Sequence, residues 1–257
     1  MDLPPVGLGT MGIDDPETVS LALELGYRHL DTARIYDNEA VVGEGLARSA
    51  VDRDEVTLAT KLWVDDLARE DVAPAARRSA ARLDVEEIDL LYVHRPYEPY
   101  DPVETIGALA DLHEEGLIDA VGVSNFEPAE LDAAIETLAD RGLTLAAHQT
   151  ELHPLWYRPE LLEHARKHGY TVVAYSPLAG GEAGSVDALV DIADRHGVSP
   201  ATVSLAWVRS KEPTVAIPKA SSEPHLRANL AATDLTLRPE EIDAIDSIER
   251  TVELYPE

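Results

Sequence analysis

The stretch Glu55–Asp66, "EVTLATKLWVDD", reads as a short apolar strand that carries Lys61 at its end, where a buried strand meets its loop. The lysine is conspicuous. Of 21 basic residues only four are lysines, at positions 61, 167, 211 and 219, against 49 acidic residues. Working outward, the same pattern of a Val-, Ile- and Leu-rich run followed by an amphipathic run recurs along the chain. The strand candidates are Pro5–Gly9, Tyr27–Asp31, Val56–Leu62, Ile88–His94, Ile118–Ser124, Leu145–Thr150, Thr171–Tyr175 and Val215–Ile217. Eight strand–helix units of roughly 30 residues each suit parallel strands with right-handed crossovers. Eight in one chain favour an α/β fold of the closed (β/α)8 TIM-barrel type over an open doubly wound sheet.

Helix starts are marked by Asp15–Pro16, Asp101–Pro102 and Ser199–Pro200, each a capping side chain followed by a proline suited to the first helical turn. Helix ends carry "LELG", "RKHG" and "DRHG", with glycine in the usual C-terminal position. Lys167 and Lys211 fall near helix C-termini, where a cation meets the negative end of the dipole. Two helical stretches, Val186–His196 and Ala201–Ser210, precede the last strand, and "PEEIDAIDSIER" supplies another helix after it. These are extra helices on the barrel plan. No linker or composition shift divides residues 1–257, so a single domain is expected.

The bulk numbers exclude several classes. A hydrophobic content of 45% is that of a globular chain, while a net charge of −28 repels nucleic acid and anionic membranes. The acids are spread along the sequence. Such a solvated acidic shell, with Arg favoured over Lys, suggests a high-salt cytoplasm that screens self-repulsion. There are no cysteines, so disulfides, thiolate metal sites and Cys nucleophiles are excluded. The N-terminus lacks the features of a signal peptide, and no run approaches the roughly 18 apolar residues of a membrane span. A cytoplasmic location is expected.

"GLGTMG", Gly7–Gly12, formally matches the dinucleotide fingerprint G-x-G-x-x-G, and Asp31 lies about 20 residues on. Two details weaken a Rossmann reading. The helix start at Asp15–Pro16 lies beyond Gly12, and Pro4–Pro5 are poor for a central strand. A glycine-rich loop at the first strand's end, open to close approach by a ligand, is the milder reading.

Placed side by side, the runs end on Gly9–Thr10, Asp31, Lys61, His94, Ser124–Asn125, Gln149, Tyr175–Ser176 and Lys219. In a barrel these meet at the C-terminal face, where active sites of this fold sit. Asp31 is placed to pair with Lys61. Tyr36 follows on the adjoining loop, and a nearby ammonium would lower its phenol pKa from the usual ~10. His94 could donate a hydrogen bond to the same substrate oxygen. Together they resemble a device for polarising and protonating a carbonyl.

These residues sit in motifs that resemble the aldo-keto reductase family. The matching stretches are "GLGT", "GYRHLDTARIYDNEAVVGEGL", "TKLW", "DLLYVHRP", "GVSNF", "HQTELHP", "YSPL" and "VAIPKASS", in family order from about residue 5 to 230. The chain looks most similar to short prokaryotic members that resemble diketogluconate reductases. The resemblance implies a nicotinamide-dependent carbonyl reductase. Its catalytic tetrad falls on Asp31, Tyr36, Lys61 and His94, with Tyr36 as general acid, Lys61 tuning it from its pair with Asp31, and His94 orienting the carbonyl. It further implies that Ser124, Asn125 and Gln149 hold the carboxamide and that Tyr175 stacks on the nicotinamide. Gly9 and Thr10 would approach the cofactor from the first loop. Ser176, Pro177, Leu178 and Gly180 would line the pyrophosphate side, and Lys219, Ser221, His225 and Asn229 the adenosine end, near the N-terminus of the eighth helix.

Departures from the family pattern matter for specificity. His225 replaces an arginine that helps bind a 2′-phosphate. That departure weakens the preference for NADPH over NADH; Lys219 still supports NADPH, which is the expected cofactor with NADH as the alternative. Arg95 replaces a tryptophan after the catalytic histidine, which adds a cation and could favour acidic or polyhydroxy substrates; a surface pair with Glu98 is the competing reading. Trp63 and Trp156 either line the substrate pocket or pack at the barrel rim. The short tail "TVELYPE" implies an open pocket.

Other histidines receive plainer readings. His164 and His168, at i and i+4, are read as helix-surface residues, and no metal is expected. His148 and His153 are structural, and His29 a satisfied core residue. Glu114–Glu115 and Glu240–Glu241 are taken as solvated faces. The sequence thus leads to an NADP-dependent reductase of aldehydes, ketones or sugar-derived dicarbonyls, expected to be a cytoplasmic monomer. A cofactor-binding sensory protein with little turnover is the alternative, and the intact tetrad argues against it.

Overall fold

Each of the eight apolar runs forms a strand that pairs in parallel with the next. The computed structural model describes residues 1–256. The strands are β1 (Leu8–Gly9), β2 (His29–Asp31), β3 (Thr57–Leu62), β4 (Ile88–Val93), β5 (Ile118–Ser124), β6 (Ala147–Glu151), β7 (Thr171–Tyr175) and β8 (Thr214–Ala216). The ring closes between its first and last members. Gly7 N–H donates to the Ala216 carbonyl at 2.8 Å, Ala216 N–H to Pro5 at 3.1 Å, and Val6 bridges Ala216 in parallel. The fold is the expected (β/α)8 barrel. β1 is shorter than the sequence suggests, because Pro4 and Pro5 have no N–H to offer a ladder.

The helices are α1 (Pro16–Leu25), α2 (Glu39–Arg48), α3 (Arg69–Leu83), α4 (Glu104–Glu114), α5 (Pro128–Asp140), α6 (Pro159–His168), α7 (Asp187–His196), α8 (Pro200–Arg209), α9 (Glu223–Leu230) and α10 (Pro239–Asp246). α7 and α8 both precede β8, and α10 follows the eighth unit, as expected. Asp15 accepts from Glu17 N–H and Ser199 from Thr202 N–H. Gly26, Gly169 and Gly197 end their helices with φ of 114°, 79° and 67°. One start is displaced. Asp101 accepts from the N–H groups of Val103 and Glu104 at 2.9 Å, so the helix begins at Glu104, after a turn at Pro102. Lys211 also differs from its simple dipole reading. Its largely buried ammonium bonds both carboxylate oxygens of Asp246, at 2.6 and 2.7 Å, and lies over Tyr157 and Trp207.

Strand alternation sorts side chains into two layers. Leu58 and Leu62 of β3 face the helices, in the large cluster between sheet and helical shell. Ala59 faces the barrel interior with Leu90, Tyr92, Ala147, Val173, Val215 and Ile217. Lys61 is two residues beyond Ala59, so it too points inward, and it is paired in register with Tyr92. The same parity turns Asp31, Ser124, Gln149 and Tyr175 toward the axis. Gly122 makes room for this layer, since a Cβ there would lie 2.5 Å from the Tyr92 ring.

Candidate active site

The C-terminal ends of the strands enclose a cleft of about 270 Å³, lined by Gly9, Thr10, Asp31, Tyr36, Trp63, His94, Arg95, Asn125, Gln149, Tyr175, Ser176 and Lys219, among others. Lys61 lies beneath it, fully buried. Its ammonium donates to Asp31 Oδ1 at 2.5 Å and to the Thr32 carbonyl at 2.7 Å, and sits 5.2 Å from the centre of the Tyr36 ring. Gln149 Nε2 donates to the other Asp31 oxygen at 2.7 Å. Burial acts to lower the Lys61 pKa. Asp31 and Tyr36 outweigh that and hold its pKa above the ordinary lysine value, so the ammonium persists.

Tyr36 ends a single 3₁₀ turn, Arg34–Tyr36, and Asp37 behind it adopts the left-handed conformation with φ of 54°. A net lowering of the Tyr36 pKa by Lys61 was the sequence expectation. The structure reverses the sign: burial raises the phenol pKa, and the Lys61 ammonium opposes this without overcoming it. The phenol consequently keeps its proton at neutral pH. His94 follows β4 and meets Tyr36 edge to face, with centroids 5.9 Å apart, and Trp63 likewise at 5.0 Å. Burial first, then the Lys61 and Arg95 cations, push its pKa down to about 2, so the imidazole is neutral.

The amide and hydroxyl groups form one linked wall. Asn125, held at φ of 61°, donates from Nδ2 to the His94 carbonyl at 3.0 Å and to Ser124 Oγ at 3.1 Å. Its Oδ1 accepts from Tyr175 OH at 2.9 Å. Thr10 Oγ1 donates to the Asp31 carbonyl, at 3.0 Å. Ser176 also has positive φ, 49°. Gly9 passes β8 so closely that a Cβ would lie 2.6 Å from the Ile217 carbonyl oxygen. The third glycine of "GLGTMG", Gly12, lies in the loop before α1, at φ of 74°, so the first turn is not a Rossmann turn.

Several expected residues lie outside this cleft. Trp156 lines a neighbouring hollow with Glu151, Arg158 and Pro256, because its bridge to His153 holds it behind Tyr175 and Tyr255. Pro177 is buried, and Leu178 packs against the core. Ser221 and His225 are exposed at the start of α9, Ser221 Oγ accepting from Lys219 Nζ at 3.3 Å, whereas Asn229 is buried on the same helix. Gly180, φ 63°, approaches Leu254. Arg95 forms part of the wall, with Nη1 donating to Tyr97 OH at 3.3 Å.

The tail does not leave the pocket as open as its length suggested. Leu254 and Tyr255 N–H groups donate to buried Glu151, at 2.8 and 3.2 Å, and Tyr255 meets the Tyr175 ring edge-on at 5.7 Å. Tyr255, Met11, Ile35 and Ile217 line the cleft without a sequence signal, since only the folded tail and loops bring them there. Thr32 was equally silent, because it contributes a carbonyl. Among the other histidines, His148 accepts from Phe126 N–H and His153 from Leu155 N–H, both structural. His29 is buried, but neither ring nitrogen has a hydrogen-bond partner among the described residues, and burial lowers its pKa. Glu241 is not a solvated acid: it is buried and bonded by Arg238 and His196, whereas Glu114, Glu115 and Glu240 are exposed members of arginine pairs.

A barrel whose strand ends gather a buried Lys–Asp pair, a protonated phenol and a neutral imidazole is built to handle a proton at a polar oxygen. The family model "Aldo/keto reductase family" matches residues 5–250. The chain is 36% identical over 256 residues to methylglyoxal reductase DkgB of Salmonella typhi, covering 97% of this chain and 94% of that protein. It is 37% identical over 253 residues to the 9,11-endoperoxide prostaglandin H2 reductase of Trypanosoma cruzi, covering 96% and 88%. The crystal structure of MGS-M4, an aldo-keto reductase from a Medee basin deep-sea metagenome library, superposes with a TM-score of 0.93 at 31% identity, covering 100% of this chain and 95% of that one. The chain belongs to the aldo/keto reductase family of oxidoreductases.

Proposed function

We propose that this protein is an NADPH-preferring reductase of small aldehydes, ketones and sugar-derived dicarbonyls, with Tyr36 as the general acid. The observation that carries the reading is the convergence of Tyr36, Lys61, Asp31 and His94 at one cleft. The cofactor fits the residues present: a half-buried Tyr175 ring to stack on, an amide wall from Asn125 and Gln149, glycine at position 9, and an exposed Lys219 beside α9. A bound nicotinamide would supply the hydride. Asn125 and Gln149 would hold the carboxamide, while Ser176, Gly180, Lys219 and Ser221 would lie along the phosphates. His225 weakens the case for a 2′-phosphate contact, and Lys219 favours it.

Within the chain, His94 places the carbonyl oxygen against Tyr36. The Tyr36 hydroxyl gives its proton to that oxygen as negative charge develops, and Lys61 stabilises the phenolate left behind. Asp31 keeps Lys61 charged and fixed. Arg95 and Trp63 would form the substrate wall, so acidic or polyhydroxy carbonyls are favoured. The reading includes a single monomeric domain in a saline cytoplasm, which the acidic composition supports.

The test is oxidation of NADPH and NADH against aldoses, methylglyoxal and diketogluconate. Turnover is expected with dicarbonyls and is faster with NADPH. Tyr36→Phe should lower kcat by about 10²- to 10⁴-fold or more, the range of a lost general acid, while NADPH binding by fluorescence stays nearly unchanged. Undiminished turnover in that variant would overturn the assignment. A single slow turnover with every carbonyl would instead favour a sensory protein.

A further inference from the structure

The outer helical layer holds a second cluster of chemistry-bearing side chains, none of which lines the cleft. His164 and His168 stand one turn apart on α6 with their rings stacked, centroids 4.3 Å apart and planes within 19°. Their spacing alone reads as a surface pair. The fold adds Asp132 from α5. Asp132 Oδ1 lies 3.2 Å from His164 Nε2 and 3.7 Å from His168 Nε2, and one ligand atom from each residue falls within 4.8 Å of the others. We propose that Asp132, His164 and His168 form a binding site for a borderline divalent metal ion of the Zn²⁺ class, which clamps α5 to α6.

Three observations support it independently. The first is spacing. A tetrahedral ion with bonds of about 2.0–2.1 Å sets its ligands roughly 3.3 Å apart, and the two nitrogen–oxygen separations bracket that value. The second is an unmet group. His168 Nε2 is buried and has no hydrogen-bond partner among the described residues, while the carboxylate oxygen is too distant to serve. A cation between the three atoms would satisfy it, in place of the hydrogen bond that His164 Nε2 and Asp132 Oδ1 share at 3.2 Å. The third is the outer contact. His164 Nδ1 is engaged by Tyr170 OH at 2.8 Å, which fixes the ring and directs Nε2 at the carboxylate.

The donor set selects the ion. Two imidazoles and one carboxylate suit Zn²⁺, Co²⁺, Ni²⁺ or Cu²⁺, whereas Mg²⁺ and Ca²⁺ prefer oxygen-only shells. The imidazoles are sheltered, with side chains 10% and 20% exposed, but Asp132 is 61% exposed, so an ion can enter from solvent and keep water in its open position. The chain's strong negative charge raises the local cation concentration.

The test uses the tag-free full chain, stripped with chelator and titrated with Co²⁺ while its visible absorption is followed. One equivalent is expected to develop a d–d band that Zn²⁺ displaces. Asp132→Asn, His164→Gln and His168→Gln should each weaken binding at least about tenfold, and Tyr170→Phe about tenfold through the lost outer contact. Zn²⁺ should raise the thermal midpoint of the wild type and not that of His168→Gln. Circular dichroism and unchanged NADPH-dependent carbonyl reduction in the variants would show that they fold. No band up to millimolar Co²⁺, or wild-type affinity retained in all three ligand variants, would overturn the proposal.

Discussion

The Lys61 ammonium is fully buried, and its charge is met by one Asp31 oxygen and the Thr32 carbonyl. Such a pair stabilises little by itself but is expensive to break, because the surviving charge stays buried. Asp31→Asn should therefore cost about 3–5 kcal/mol in urea denaturation, with loss of carbonyl reduction. Adding Lys61→Met removes the stranded charge, so the double variant should regain most of that stability and none of the activity. Equal stability of the single and double variants would refute the argument. His148 offers a pH test. Its folded pKa is about 3, lowered by burial, then by Arg158 and His164, against about 6.5 unfolded. Above pH 6.5 neither state binds the proton and the full stability is present. As pH falls from 6.5 toward 3 only the unfolded chain takes it up, so stability declines by up to about 1.4 kcal/mol per pH unit. His148→Gln, which can still accept from Phe126 N–H, should flatten that acid limb in urea midpoints measured at intervals of pH; an unchanged slope would disprove the linkage. Residue types at strand ends made the Lys61–Asp31 pair legible in the sequence. The sign of the Tyr36 shift was not, because it depends on how deeply the phenol is buried, and burial is a sum over the whole barrel.

The segment after α10 shows what an element's sequence hides. "TVELYPE" carries no periodicity, yet two of its backbone N–H groups find Glu151 at the end of β6 and bring Tyr255 onto Tyr175. The anchor belongs to a distant strand, so no local pattern announces it. For the same reason His164 and His168 were visible as a pair on one helix face, but the Asp132 that faces them was not. Starts and ends of helices were readable wherever capping chemistry is local, as at Asp15–Pro16 and Ser199–Pro200. At Asp101 the same side chain caps from two residues further out. If the tail forms one wall of the cleft, Tyr255→Ala should raise the KM for a carbonyl substrate about two- to tenfold, the worth of an aromatic edge contact of about 0.5–1.5 kcal/mol. The kcat should change little, since Tyr36, Lys61 and His94 are untouched. An unaltered KM would mean that the tail merely rests on the rim.

At the scale of the whole molecule, eight repeats of one pattern made the barrel legible, since closure is the economical way to bury eight parallel strands on both faces. Charge acts at the same scale. With 49 acidic and 21 basic residues, arginine pairs such as Arg48–Glu17 and Arg158–Glu127 leave a large excess of carboxylates on the surface. Salt weakens those exposed pairs, but each is worth at most about 1 kcal/mol. It also screens repulsion among every unpaired acid, and the screening length falls from about 10 Å at 0.1 M to about 3 Å at 1 M. With 28 more acidic than basic residues, the many-body repulsion outweighs the exposed attractions, so stability should rise with salt. Raising KCl from 0.1 to 2 M should increase the thermal midpoint, by roughly 2–4 °C for each kcal/mol gained in a chain of this size. Screening depends on ionic strength, whereas surface exclusion depends on the anion, so chloride should act comparably to sulfate at equal ionic strength. A protein equally stable without added salt would remove the screening argument, and a response to sulfate alone would assign the effect to exclusion from the surface instead.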